Sequence, residues 1–166
     1  MIELIIDDDV DDSIPPHIVH IESIQEAFQT TFQCLNITTP IEPEICIRFA
    51  SNTSVQKCNA QWRNQDKVTD VLSFPMQEAN VINFAEPLGD MMLAWPFVLQ
   101  EAQALQRDVS AHQRHLMIHS LLHLLGYDHI QDDDAMIMQS LECRIMKTLG
   151  LHNPYPELTI ESCSPI

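Results

Sequence analysis

Three histidines stand at positions 119, 123 and 129 within the stretch HSLLHLLGYDH, and Gly126 lies between the second and the third. Residues four apart on a helix share a face, so His119 and His123 can aim both imidazoles at one point, their Cβ atoms roughly 6 Å apart. Glycine permits the left-handed backbone that reverses a chain, and His129 can then return to the same point. Imidazole nitrogens hold zinc at about 2.0–2.1 Å, and three of them leave a fourth position open. An open position marks a catalytic ion; a structural one is enclosed by protein on all sides. The pattern predicts a metal centre made by His119, His123 and His129, with one divalent ion, zinc above others, as the cofactor.

The same spacing is used by the metzincin peptidases, which carry a general-base glutamate directly after the first histidine. This chain has Ser120 there. A bound metal lowers the pKa of coordinated water without help from a protein base. Peptide hydrolysis also needs a group that carries a proton to the leaving amine, and serine is a poor one. Phosphodiester cleavage asks for charge stabilisation at phosphate, which a metal and an arginine can supply. A zincin-like peptidase is therefore the alternative, favoured by spacing and opposed by Ser120. It also lacks an evident Met-turn, because Met136, Met138 and Met146 read as helix positions. His115 and His112 lie one and two turns before the motif and suit either a supporting or a surface role. Asp128 either accepts the second N–H of a ligand imidazole or closes a turn.

The elements that must position these residues are readable from periodicity. IELII (2–6) suits a strand, and the acidic DDDVDDSIPPH after it, with paired prolines, a loop. Residues 21–34 set Ile24, Ala27, Phe28, Thr31 and Phe32 at helical spacing. Residues 44–50 alternate Ile45, Ile47 and Phe49 with polar neighbours, as a half-buried strand does. A helix over 54–63 groups Val55, Cys58 and Trp62; strands follow at 69–76 and 89–95, separated by a loop over 77–87. Pro96 suits the start of a helix to 106. Ser110 is the expected N-cap of the histidine helix, with Gly126 just past its end. A last helix covers 132–149, its three first-turn aspartates matching the helix dipole. Strands and helices do not alternate strictly. The expected class is α+β: one domain over 1–155, a central mixed sheet of about four strands covered by helices, and the metal site at the end of a core helix. Residues 156–166 carry no periodicity and are expected to form a poorly ordered tail.

Composition limits the setting. Hydrophobic residues make up 45% and charged residues 19% of 166, ordinary proportions for a globular chain. No apolar run approaches the ~20 residues of a membrane span. The acidic N-terminus lacks the basic start of a secretory signal, and the five cysteines are scattered with no C-x-x-C pair, so a reducing, cytoplasmic location is expected. A net charge of −16 argues against nucleic acid as a partner at first sight. The distribution softens this, since Arg48, Lys57, Arg63 and Lys67 share a window whose only acid is Asp66. Those four residues are either a local positive patch or plain solvated side chains.

Three stretches together carry a resemblance. HSLLHLLGYDH is similar to the H-G-x-L-H-L-x-G-Y-D-H signature of the YbeY-type bacterial endoribonucleases, the rRNA maturation factors. NAQWRNQDKVTDVLSFP (59–75) resembles that family's N-x-x-x-R-x-x-D-x-x-T-D-V-L-S-F-P segment, and LGDMML (88–93) resembles its L-G-D-I strand. The resemblance spans roughly residues 1–155. It implies an α+β fold, a zinc-like ion on His119, His123 and His129, and Arg63 as the catalytic arginine that grips phosphate. Asp70, Ser73 and Phe74 would shape strand and groove. The implied activity is metal-dependent, single-strand-specific cleavage of RNA, acting in 16S rRNA 3′-end maturation and ribosome quality control, with rRNA precursor and the ribosome or ribosomal proteins as partners. A ribosome-binding factor with a structural metal is a further alternative. One departure is plain: Ser120 occupies the position of the signature's first glycine.

Overall fold

The apolar runs pair into one mixed sheet. In the computed structural model, which describes residues 1–158, β1 (Ile2–Ile6), β2 (Ile45–Ala50), β3 (Val71–Pro75) and β4 (Gly89–Ala94) are ordered β1-β2-β4-β3. β1 and β4 run parallel to β2, while β3 runs antiparallel to β4, with Val71 opposite Leu93 and Ser73 opposite Met91. The single antiparallel strand thus lies at one edge and β1 at the other. Alternation along β2 sorts its side chains between two faces. Ile45, Ile47 and Phe49 enter the main core. Ala50, Leu72, Met92 and Ala94 form a smaller core against Val55.

Helices cover both faces. α2 (Ile21–Cys34) and α5 (Val109–Leu124) pack on the main-core side, and α6 (Asp132–Thr148) stacks against them through Ala27, Ile118, Leu122, Met138 and Ile145. α3 (Asn52–Arg63) covers the other face, and α4 (Trp95–Ala104) links β4 to α5. α5 is buried nearly all round, against β3, β4, α2, α4 and α6, which makes it the central support of the molecule. No described helix is long and apolar enough to cross a membrane.

Several local expectations change. The acidic stretch after β1 is not wholly loop: Asp8–Asp11 form a short helix, α1, anchored by buried Val10. Ser110 does not cap α5; the Asp108 carboxylate does, accepting from the Ala111 N–H at 2.9 Å. Trp62 is 65% exposed, because the face of α3 that turns inward carries Val55 and Asn59. Asn59 is drawn in by its own bond, Nδ2 donating to the Lys67 carbonyl at 2.9 Å. Of the expected tail, 156–158 follow a turn closed by the Leu158 N–H on the Tyr155 carbonyl, and 159–166 lie outside the described residues, Cys163 among them. Cys34, Cys46 and Cys58 carry no disulfide.

Candidate metal centre

His119 and His123 occupy adjacent turns at the C-terminal end of α5, where the last carbonyls of the helix need partners. The chain supplies them with a Schellman turn. The Gly126 N–H bonds the His123 carbonyl at 3.0 Å, and the Tyr127 N–H bonds the Leu122 carbonyl at 3.0 Å. Gly126 sits at φ 97°, and a Cβ added there would lie 2.3 Å from the Ala79 Cβ, so both conformation and space demand glycine. The reversal carries His129 back over the helix end. Its ring stacks on His119 at 5.5 Å between centroids and meets His123 edge-on at 5.0 Å. One nitrogen from each of the three residues falls within 4.8 Å of the others, a group that could hold a metal ion.

Hydrogen bonds on the far side of two rings set the tautomers. The Tyr127 carbonyl can only accept, so His123 Nδ1–H donates to it at 2.9 Å and Nε2 keeps a lone pair. His119 Nδ1–H donates to Glu142 Oε1 at 2.7 Å, which frees its Nε2 in the same way. The two Nε2 atoms then face each other at 3.1 Å, a separation that a proton or a cation between them must hold. This donor set fits a divalent ion: three imidazoles converging, two of them with Nδ1 already committed so that Nε2 faces the cleft.

Without an ion the charge states of the two rings divide: His123 is held neutral, while His119 is pushed toward its protonated form, a proton that a metal ion would displace. Burial, then the neighbouring His119 charge, lowers His123 to about 4 and keeps it neutral. Burial also opposes charge on His119, but the bond and charge of Glu142, with Asp70 adding, outweigh it and raise its pKa. Glu142 is held down to about 2: burial resists its ionisation, and the bonds from His115 and His119 overcome that resistance.

The histidines line a cleft of about 560 Å³ that also receives Arg63, Lys67 and Asp70. Arg63 closes α3; its Nη2 bonds the Ser73 carbonyl, and its guanidinium lies 5.8 Å from the centre of the Phe74 ring. Arg63 enters no salt bridge among the described residues, whereas Arg48 is taken by Asp7 at 2.8 Å. The basic window therefore divides, with Arg63 and Lys67 at the cleft and Arg48 bound elsewhere. Asp128 proves to be the turn residue of its two readings, its Oδ1 accepting the Ile130 N–H at 3.2 Å.

The Endoribonuclease YbeY family profile matches residues 10–150 of the chain. The chain belongs to this family. Proteins named Endoribonuclease YbeY from Sinorhizobium fredii and Allorhizobium ampelinum are 45% and 43% identical to it over 114 and 117 residues. Those alignments cover 68% and 70% of this chain and 66% and 70% of the two relatives. The solution structure of a Thermotoga maritima protein shares the fold, with a TM-score of 0.53 at 20% identity over 96% of this chain and 97% of that one.

Ser120 departs from the YbeY signature, and the fold explains how it is accommodated. Its hydroxyl is fully buried and lies 2.7 Å from Ser73 Oγ, tying α5 to β3 beside the site. Ser120→Gly should lose that bond and add a flexible residue to a helix, costing about 2 kcal/mol in chemical denaturation. Metal content should stay unchanged, because no ligand bond involves the hydroxyl.

Sequence reasoning missed Glu142 and the Tyr127 carbonyl as partners of His119 and His123. Glu142 had a detectable signal: an acid on the apolar stripe of α6, four residues after Met138 and three before Ile145. His115, left open between two roles, is buried and bonds Glu142 through Nε2 at 2.9 Å.

Nearby, burial and then the charges of Arg107 and His115 lower His152 from 6.5 to about 4. The folded chain then binds fewer protons than the unfolded one between those values, so His152 removes stability as pH falls from 6.5 to 4. Urea midpoints measured across that window should decline less in His152→Asn than in the parent protein.

Proposed function

We propose that this chain is a metal-dependent endoribonuclease that cuts single-stranded RNA at the cleft formed by His119, His123, His129 and Arg63. One observation carries the reading: three converging imidazoles, two with their tautomers set, open onto a cleft that also presents Arg63 and Lys67, in a protein whose net charge is −16. Positive charge at the cleft is where an RNA backbone can approach an otherwise repelling surface. The family names of the relatives support RNA as the substrate.

His119, His123 and His129 would hold the ion, and zinc suits three imidazoles with an open fourth position. When bound, the ion supplies Lewis-acid charge at a scissile phosphate and a more acidic water. The rest is done by the chain. Arg63, steadied by Ser73 and Phe74, presents its remaining N–H donors to phosphate oxygens and stabilises the charge that builds there. Lys67 attracts the backbone as a mobile point charge. Glu142 and Tyr127 keep the imidazoles oriented. A peptidase reading lacks its base, since Ser120 faces Ser73 and not the cleft.

The same reading takes residues 1–155 as one working unit, acting on precursor rRNA in 16S 3′-end maturation and ribosome quality control, with the ribosome as partner. The scattered cysteines support a cytoplasmic setting. The test is direct. Purified protein is offered labelled single-stranded RNA, the same RNA as a duplex, and casein, each with and without a chelator. Chelator-sensitive cleavage of the single strand alone is expected. Casein cleavage without RNA cleavage would reverse the reading, and ribosome binding with neither activity would make the protein a binding factor.

A further inference from the structure

We propose that Glu142 is a positioning residue that sets the metal affinity of this centre, and that Tyr155 from the C-terminal segment holds it in place. The proposal rests on the three-histidine reading and deepens it. Glu142 is 0% exposed and sits on the core-facing stripe of α6. A carboxylate there is expensive to bury, and no lysine or arginine pairs with it among the described residues. An apolar residue of similar size would serve packing better. The structure uses both carboxylate oxygens instead. Oε1 accepts from His119 Nδ1 at 2.7 Å and from His115 Nε2 at 2.9 Å, and Oε2 accepts from the Tyr155 hydroxyl at 2.8 Å.

The consequence for a metal follows from where these bonds point. His119 is gripped on its inner nitrogen, so its ring plane and its free Nε2 are fixed toward the cleft. The negative charge one ring away raises the basicity of that nitrogen and favours a cation on it. Glu142 also balances the positive charge that arrives with the ion, which explains why the core tolerates it.

Tyr155 completes the arrangement from outside the helices. Gly150, at φ 71°, turns the chain back after α6, and the segment that follows is tied to α6 where Cys143 Sγ donates to Asn153 Oδ1 at 3.3 Å. Arg107 Nη2 donates to the Pro154 carbonyl at 3.0 Å, and the Tyr155 N–H bonds Asn153 Oδ1 at 2.9 Å. The tyrosine ring stands edge-on to His115 at 5.7 Å. Its hydroxyl is therefore delivered to Glu142 by a braced segment, and without it Oε2 would be a buried acceptor lacking a partner.

The experiment measures zinc affinity by competition with a chromophoric chelator, and the visible spectrum of the cobalt-substituted protein, for the parent, Glu142→Gln and Tyr155→Phe. Glutamine keeps the shape and one acceptor oxygen and removes the charge. Glu142→Gln is expected to bind zinc about 10–100-fold more weakly with a shifted cobalt band. Tyr155→Phe should weaken zinc several-fold, and it tests the idea even if Glu142→Gln fails to fold. Parent-like zinc affinity in Glu142→Gln, or in Tyr155→Phe should the former not fold, would overturn the positioning role alone. A parent protein that binds no zinc would overturn the three-histidine reading along with it.

Discussion

His123→Ala is expected to lose its metal and at least about 10³ of its cleavage rate, the ~4 kcal/mol of charge stabilisation that a catalytic ion supplies. Of the three histidines that would hold the ion, His123 is the one best prepared to be neutral, lowered to about 4 by burial and by the charge of His119. Removing it also frees the Tyr127 carbonyl from its bond with Nδ1. That carbonyl borders the open cleft, so water can replace the lost donor and the folding cost should stay near ~1 kcal/mol. Metal content by elemental analysis and the unfolding midpoint, measured on one preparation, separate the two effects. A folded His123→Ala protein that keeps full activity would place the activity with a contaminant or another site.

Arg63→Ala should reduce kcat/KM on single-stranded RNA by about 10²–10³, the loss typical when one donor to a developing oxyanion is removed. Its metal content should match the parent. The side chain is held by one N–H on the Ser73 carbonyl and by the guanidinium against Phe74, and among the described residues no carboxylate competes for its other donors. Arg63→Lys should recover only part of the loss, because an ammonium cannot make the paired contact of the planar fork. If instead KM alone rises and kcat is untouched, Arg63 serves ground-state binding and not the transition state.

The convergence of the three histidines was readable because its parts are close in sequence. Histidines at a helical interval followed by a glycine reversal define a geometry locally, and the Schellman turn at Gly126 realises it. The α+β class and most elements were readable for a related reason, since β2 and α2 each have one buried face and show clean periodicity. Periodicity fails where burial is complete. α5 is surrounded by core on nearly all sides, so its pattern showed a helix but not which histidines were enclosed. The contacts of Glu142 with His119 and Tyr155 join α6 to α5 and to the chain beyond Leu151, and no local spacing encodes them. Caps and exposures turned on single bonds. Asp108 outcompetes Ser110 because its carboxylate reaches the Ala111 N–H, and Asn59, held by Lys67, sets the rotation that leaves Trp62 outside.

If one ion on His119, His123 and His129 makes this protein a ribonuclease, its activity must follow the metal. Stripping the protein of metal and titrating zinc back while following cleavage of a labelled single strand tests it most directly. Activity should be absent in the stripped protein and rise to a plateau at about one equivalent of zinc per chain, the occupancy that three converging imidazoles allow. Full cleavage by metal-free protein, or a plateau that His119→Ala reaches as readily as the parent, would contradict it.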